Sequence, residues 1–169
     1  MDLFVDADFC GLWNPLEPHD PTNCRSRTGY LVLLGGIPIS WKSTLQVGLS
    51  LHTMEAEYVA LSTAMKPLLH LRDLYFSTAT TLSLPFSQDS RISTVFEDNQ
   101  ACLALATTDP PHMTPRSKHI AIKYHWFRSH LGKEIKIQYC PSEINAADIF
   151  TKPLAQDTFW TCRALIMGW

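Results

Sequence analysis

Three strand-like stretches come before the first stretch with a helical period, and this order restricts the fold more than any other feature. In "LFVDADFC", Leu3, Val5, Ala7 and Phe9 share one side, and Phe4, Asp6, Asp8 and Cys10 share the other. A loop rich in Pro and Asn follows, "GLWNPLEPHDPTNC". The stretches "RTGYLVLLGG" and "IPISWKSTLQVGLS" then read as two strands joined through Gly35-Gly36. Strands in direct succession around a tight turn predict an antiparallel meander.

The period then changes. In "HTMEAEYVALSTAMKPLLHLRDLYF", Met54, Tyr58, Leu61, Met65, Leu68 and Leu69 recur near a helical spacing, and Thr53 is the expected N-cap. Pro67 lacks a backbone donor and predicts a kink or break near Lys66. "TATTLSLPFSQDS" reads as a linker, "RISTVFE" as a strand and "DNQACLALATT" as a short helix stopped at Asp109-Pro110-Pro111. "PRSKHIAIKYHWFRSHLG" is expected to be a second long helix, with Ile120, Tyr124, Phe127 and Leu131 buried. "KEIKIQYC" is a strand, "SEINAADIFTKPL" a helix capped by Ser142 and stopped by Pro153, and "DTFWTCRALIMGW" a final helix. The order β-β-β-α-β-α-α-β-α-α predicts an α/β fold, a five-stranded mixed sheet with helices on its faces.

At 169 residues the chain suits one domain, 1–169, with 154–169 as a C-terminal helical extension. A hydrophobic share of 46% against 18% charged excludes a disordered chain. The net charge of −2 gives no sign of a free-standing nucleic-acid binder, so any such affinity has to come from a local patch or a neighbouring domain. The five cysteines are scattered without a CxxC pair, which points away from a disulfide framework or zinc and towards a reducing, intracellular setting. No stretch has the length of a membrane span. A core strand that begins almost at Met1 suggests a domain cut from a longer polypeptide, or one with a short leader.

Four acids occupy special places. Asp6 lies on the first strand, Glu55 in the first turn of the first helix, Asp98 at the end of the fourth strand, and Asp148 after the fifth strand beside Ala146 and Ala147. If the first and fourth strands are neighbours, Asp6 and Asp98 lie side by side, and their repulsion and burial require protons or cations to offset them. Oxygen-only ligands suit Mg²⁺ or Mn²⁺, and two such ions about 3.5–4 Å apart form a clamp for in-line attack on a phosphodiester. Each acid also has a plain structural reading. Asp6 shares its face with Asp8, and the pattern alone does not choose between them. Glu55 could serve the helix dipole, Asp98 could cap the next helix, and Asp148 could lie on a solvated face.

At these residues the chain closely resembles the ribonuclease H domain at the C-terminal end of copia-type retrotransposon polyproteins. The matching stretches are "VDADFCGLW", "SRTGYLVLLGGIPISWKS", "LSLHTMEAEYVALSTAM", "EDNQACLALA", "RSKHIAIKYHWFR" and "NAADIFTKPL", in the family's order over nearly the whole chain. The resemblance implies the ribonuclease H fold, with three antiparallel strands followed by parallel additions. It implies catalytic and metal-binding roles for Asp6, Glu55, Asp98 and Asp148, and it selects Asp6 over Asp8. It further implies two Mg²⁺ or Mn²⁺ ions, an RNA–DNA hybrid as substrate, and an upstream reverse transcriptase in the same polyprotein as partner, working in the cytoplasm, virus-like particles or nucleus.

Gln100 matches a family position at the hybrid's minor groove, where an amide can sense the 2′-hydroxyl; its plain reading is an exposed helix residue. Asn99, Lys118 and Lys123 join it as expected substrate contacts. Arg116, Lys118, His119, Lys123 and Arg128 make the second long helix basic, which suits phosphates or simply a solvated face. Glu97, by alternation, points away from Asp98 and is expected outside the site. The chain departs from relatives in lacking a His in the loop "CPSEINAAD", in Ala121 where an acid is usual, and in Pro67. The missing loop His and the presence of Pro67 keep open an impaired domain acting as a tether or binding module. An integrase-like enzyme, which lacks an acid on the first helix, is disfavoured by Glu55.

Overall fold

The structure is a computed structural model that describes residues 1–17, 20, 23–86, 91–108 and 124–169. Its sheet consists of β1 (Asp2–Asp8), β2 (Arg27–Leu34), β3 (Ile37–Leu45), β4 (Ser93–Glu97) and β5 (Ile135–Tyr139), in the order β3-β2-β1-β4-β5. The first three strands form the antiparallel meander that their succession around a tight turn predicts, and β4 and β5 add in parallel on the far side of β1. Gly35 and Gly36 have φ of 58° and 82°. A two-residue hairpin of matching twist needs positive φ at both positions, which glycine supplies without a steric cost.

Helix α1 (Thr53–Thr81) links the meander to β4, and α2 (Gln100–Thr107) follows β4. A 3-10 helix at His125–His130 leads into β5, and 3-10 turns at Ser142–Ile144 and Asp148–Phe150 lead out of it to α3 (Gln156–Met167). The sheet is covered on both faces. On one, Leu3, Val5, Val32, Val95 and Ile135 pack under Tyr58, Leu61, Met65 and Leu68 of α1. On the other, Phe4, Leu31 and Leu33 meet Ala146, Phe150 and Ile166. As the middle strand, β1 is therefore buried on both sides over its interior, and Asp6 there needs partners.

Several expected details are corrected. His52, not Thr53, sits at the N-cap of α1, and its side chain makes no capping bond. Glu55 supports this helix start instead, accepting at 2.8 Å the N–H of Leu51, the residue before the N-cap. The helix runs through Pro67 without a break at Lys66. Met65 and Leu68 on either side of the proline are fully buried, and their packing offsets one missing backbone bond. The helix expected over "SEINAADIFTKPL" is two short 3-10 turns. Asn145 interrupts it: its side-chain oxygen accepts from Ala147 N, and its Nδ2 donates 2.9 Å to Val5 O on β1. Of the expected second long helix, residues 115–123 lie outside the described residues, and the following residues 125–130 form a 3-10 helix rather than an α-helix.

Gly29 on β2 pairs with Asp6 on β1. A β-carbon at Gly29 would stand 2.6 Å from Thr151 Cγ2, 2.9 Å from Phe150 Cβ and 3.0 Å from Ala147 O. The bare backbone lets the turn that carries Asp148 lie directly on the sheet beside Asp6. Gly29→Ala is expected to destabilise the protein by about 1–3 kcal/mol through overpacking, read by denaturant unfolding. Unchanged stability would show that the turn is not held against β2.

Candidate active site

The acids meet at one end of the sheet, where β1 and β4 run side by side. Asp6 lies on the same face of β1 as Phe4 and is 1% exposed. Thr151 Oγ1 donates a short hydrogen bond to Asp6 Oδ2. Asp148 opens its 3-10 turn on the same face and is also buried. Asp98 follows directly after β4, is half-buried, and accepts a 2.7 Å hydrogen bond from Ser142 Oγ, so Ser142 serves the site rather than a helix cap. One oxygen each from Asp6, Asp98 and Asp148 lies within 4.8 Å of the others.

Lys152 extends along the same side, with Nζ 3.0 Å from Asp148 Oδ2 and 3.6 Å from Asp6 Oδ1. Desolvation pulls the Lys152 ammonium down, but Asp6, Asp148 and Asp98 together outweigh this and hold its pKa above the usual lysine value. Burial pushes the Asp6 carboxyl up, with Lys152 and the Thr151 hydroxyl pulling partly back and Asp98 adding to the rise. Burial, reinforced by Asp6, raises Asp148 to about 7. Asp148 Oδ1 is buried without a hydrogen-bond partner.

The acid that α1 brings to this place is Glu57, not Glu55. Glu55 is turned back to Leu51 N at the helix start and belongs to neither carboxylate group. Glu57 lies on the buried face with Leu61, Ala64 and Leu68, at helical intervals of four, seven and eleven residues. Its carboxylate forms a second group with Glu97 and Asp98, again within 4.8 Å. Glu97 therefore does not leave the site. Alternation does put it on the opposite face from Asp98, with Val95, but that is the face α1 covers. Burial pushes Glu57 well above the usual carboxylate range, with Glu97, Asp6 and Asp98 adding to it. Burial does the same to Glu97, where the Asn99 N–H opposes it and Asp98 and Asp6 reinforce it. The helical period could have singled out Glu57, since Glu55 shares its side with half-buried Val59, the polar Ser62 and exposed Lys66.

The expected substrate contacts fare differently. Asn99 is the N-cap of α2, with Oδ1 accepting from Cys102 N at 2.9 Å, so this role falls to it and not to Asp98. Gln100 stands exposed on the first turn of α2, next to the acids in sequence. Lys118 and Lys123, with Arg116, His119 and Ala121, lie outside the described residues. Arg128 is bound to backbone oxygens of Leu105 and Ala106 at 2.7 and 2.8 Å, and so helps anchor α2. All five cysteines are free thiols.

The donor set is carboxylate throughout, with buried oxygens of Asp148, Glu57 and Glu97 lacking partners. Such a set fits a hard divalent cation, which would satisfy those oxygens and offset their repulsion. Asp6, Asp98 and Asp148 could hold one ion, and Asp98 with Glu57 a neighbouring one.

No protein-family model matches the chain. Among curated proteins it is 32% identical over 164 residues to the retrovirus-related Pol polyprotein from transposon TNT 1-94 of Nicotiana tabacum, covering 96% of this chain and 11% of that one. It is 29% identical over 160 residues to the corresponding polyprotein from transposon RE2 of Arabidopsis thaliana, covering 94% and 10%. The chain thus spans about a tenth of the length of these relatives. Among solved structures, RNase H1 from the archaeon Halobacterium salinarum superposes with a TM-score of 0.57 at 15% identity over 89% of this chain and 92% of that one. LC11-RNase H1 in complex with an RNA/DNA hybrid gives the same values. The N-terminal RNase H domain of a Mycobacterium tuberculosis protein gives 0.55 at 12% identity over 97% and 94%. No helix among the described residues is long and apolar enough to cross a membrane. The chain is a homologue of one segment of the retrovirus-related Pol polyproteins of plant transposons, folded as a ribonuclease H domain.

Proposed function

We propose that the chain is a ribonuclease H that hydrolyses the RNA strand of RNA–DNA hybrids during reverse transcription of its element, with Mg²⁺ or Mn²⁺ as cofactor. The observation that carries this reading is the convergence of Asp6, Asp98 and Asp148, from three separate parts of the chain, within 4.8 Å at the end of the sheet. We assign the α1 acid of the site to Glu57. The reverse transcriptase of the same polyprotein is the proposed partner, in line with the Pol relatives and with a net charge of −2 that gives this domain little attraction for nucleic acid by itself.

When bound, a pair of divalent cations supplies an activated water on one side of the scissile phosphate and charge stabilisation for the leaving oxygen on the other. The residues of the chain do the positioning. Asp98 stands between the two carboxylate groups, and the Ser142 hydroxyl fixes its orientation. The hydroxyl of Thr151 fixes Asp6, and Asn145 ties the turn before Asp148 to the backbone of β1. Lys152 holds a positive charge against Asp6 and Asp148 and keeps the pair together before any cation arrives. Gln100, exposed on the first turn of α2 two residues after Asp98, is the proposed contact to the minor groove of the hybrid.

Cleavage of a labelled RNA strand in a hybrid, with Mg²⁺ or Mn²⁺, tests the function. Asp98→Asn and Glu57→Gln are each expected to lower the rate by about 100-fold or more. Glu55→Gln, which keeps an oxygen for Leu51 N, is expected to leave it within about twofold. Folded protein that cuts no hybrid at any metal concentration would refute the function. Loss of activity in Glu55→Gln with normal activity in Glu57→Gln would refute the residue assignment.

The raised carboxyls give a second test. Asp148 binds its proton up to about 7 in the folded protein, against a reference value of 3.8. The folded state thus holds more protons than the unfolded one between these values, and stability falls as pH rises through that window. In chelator, the melting temperature is expected to drop between pH 5 and pH 8, and Mg²⁺ is expected to suppress the drop. A melting temperature in chelator that stays level across this range would contradict the site's electrostatics.

A further inference from the structure

We propose that Glu97 is a fifth carboxylate of the metal centre, ligating a divalent cation jointly with Glu57 and Asp98. The inference rests on the metal-centred reading above and extends it to a residue outside the four acids that the resemblance implies.

Glu97 is fully buried, and Glu57 is 4% exposed. Each has one oxygen in a normal role or environment and one without a partner. Glu97 Oε1 accepts the Asn99 N–H at 3.1 Å and the Cys102 thiol gives the Glu97 carboxyl weak support, while Glu97 Oε2 and Glu57 Oε2 are both buried without a partner of normal hydrogen-bond geometry. Buried oxygens are nearly always satisfied in folded proteins, and an unsatisfied oxygen on each of two neighbouring carboxylates carries both a desolvation and a repulsion cost. The nearby ammonium does not meet this need, because Lys152 reaches Asp6 and Asp148 on the other face of the sheet. A cation at the tip of β4 does meet it. Oxygens bound to one Mg²⁺, Mn²⁺ or Ca²⁺ ion lie up to roughly 4–5 Å apart, and Glu57, Glu97 and Asp98 present oxygens within 4.8 Å of one another.

Adjacent residues of a strand point to opposite faces, so Glu97 and Asp98 ordinarily would not share an ion. Here β4 ends at Glu97, and Asp98 already belongs to the connection to α2. The two side chains can therefore close around the strand tip from either side, while α1 delivers Glu57. Three carboxylates on one ion raise its affinity before any phosphate arrives. The consequence is a centre loaded on the α1 side in the free protein, with the hybrid needed only to complete the other position.

The experiment is calorimetric titration of the purified chain with Mn²⁺ alone, without nucleic acid, on the parent protein, Glu97→Gln and Asp98→Asn, with melting curves in chelator. Glu97→Gln keeps the acceptor for Asn99 N and removes a buried charge. It is expected to weaken the tighter Mn²⁺ event about tenfold or more, while its melting temperature in chelator stays level or rises. Unchanged Mn²⁺ affinity in Glu97→Gln, with affinity lost in Asp98→Asn, would overturn the role of Glu97 and leave the proposed function standing. Unchanged affinity in both would overturn both. Glu97→Thr replaces the Gln variant if that one fails to fold. Failure of both to fold in chelator would make Glu97 a structural residue and overturn the proposal.

Discussion

Mutual repulsion among buried carboxylates is the constraint around which this molecule is arranged. Asp6 and Asp148 approach from one face of the sheet, Glu57 and Glu97 from the other, and Asp98 stands at the strand end between them. No ordinary core tolerates such a set, because each charge loses water and gains a like neighbour. The surrounding structure works against that repulsion at identifiable points. Gly29 has no side chain, so the Asp148 turn can sit on the sheet. Asn145 bolts that turn to Val5, Thr151 and Ser142 bond the carboxylates of Asp6 and Asp98, and Lys152 lays an ammonium along Asp6 and Asp148.

The two faces are not equally compensated. On the side of Asp6 and Asp148, hydroxyls and Lys152 meet most of the demand, and one oxygen of Asp148 is left over. On the side of α1, Glu57 and Glu97 each leave an oxygen unpaired, and burial pushes both well above the usual carboxylate range. The site therefore has a built-in cation on one side and the strongest unmet demand for one on the other. This asymmetry, more than the number of acids, is what a divalent ion would answer.

The sheet was legible because each strand is short, reads as an alternating or a continuous apolar run, and is bounded by turn residues. Gly35-Gly36 fixes the hairpin, and the change from a two-residue to a helical period marks where the meander ends. Asp6, Asp98 and Asp148 were legible because they fall at strand ends or in the turn that follows. Glu55 was misleading because an acid in the first helical turn also serves the helix start, and here it does so by accepting Leu51 N. Glu57 would have emerged from the same periodicity that exposed Tyr58, Leu61 and Leu68. Glu97 was set aside by a correct alternation, since the face opposite Asp98 is itself part of the site. The break of "SEINAADIFTKPL" into 3-10 turns depends on Asn145 reaching Val5, a contact across 140 residues that no local pattern encodes.

Crystals of the metal-free chain soaked in Mn²⁺, with diffraction recorded at the manganese absorption edge, test the central claim most directly. The account predicts anomalous density at about 2.0–2.4 Å from oxygens of Asp98, with Asp6 and Asp148 around one peak and Glu57 around the other. Saturating Mn²⁺ that leaves these five carboxylates without a peak, or that binds through Glu55 instead, would contradict it.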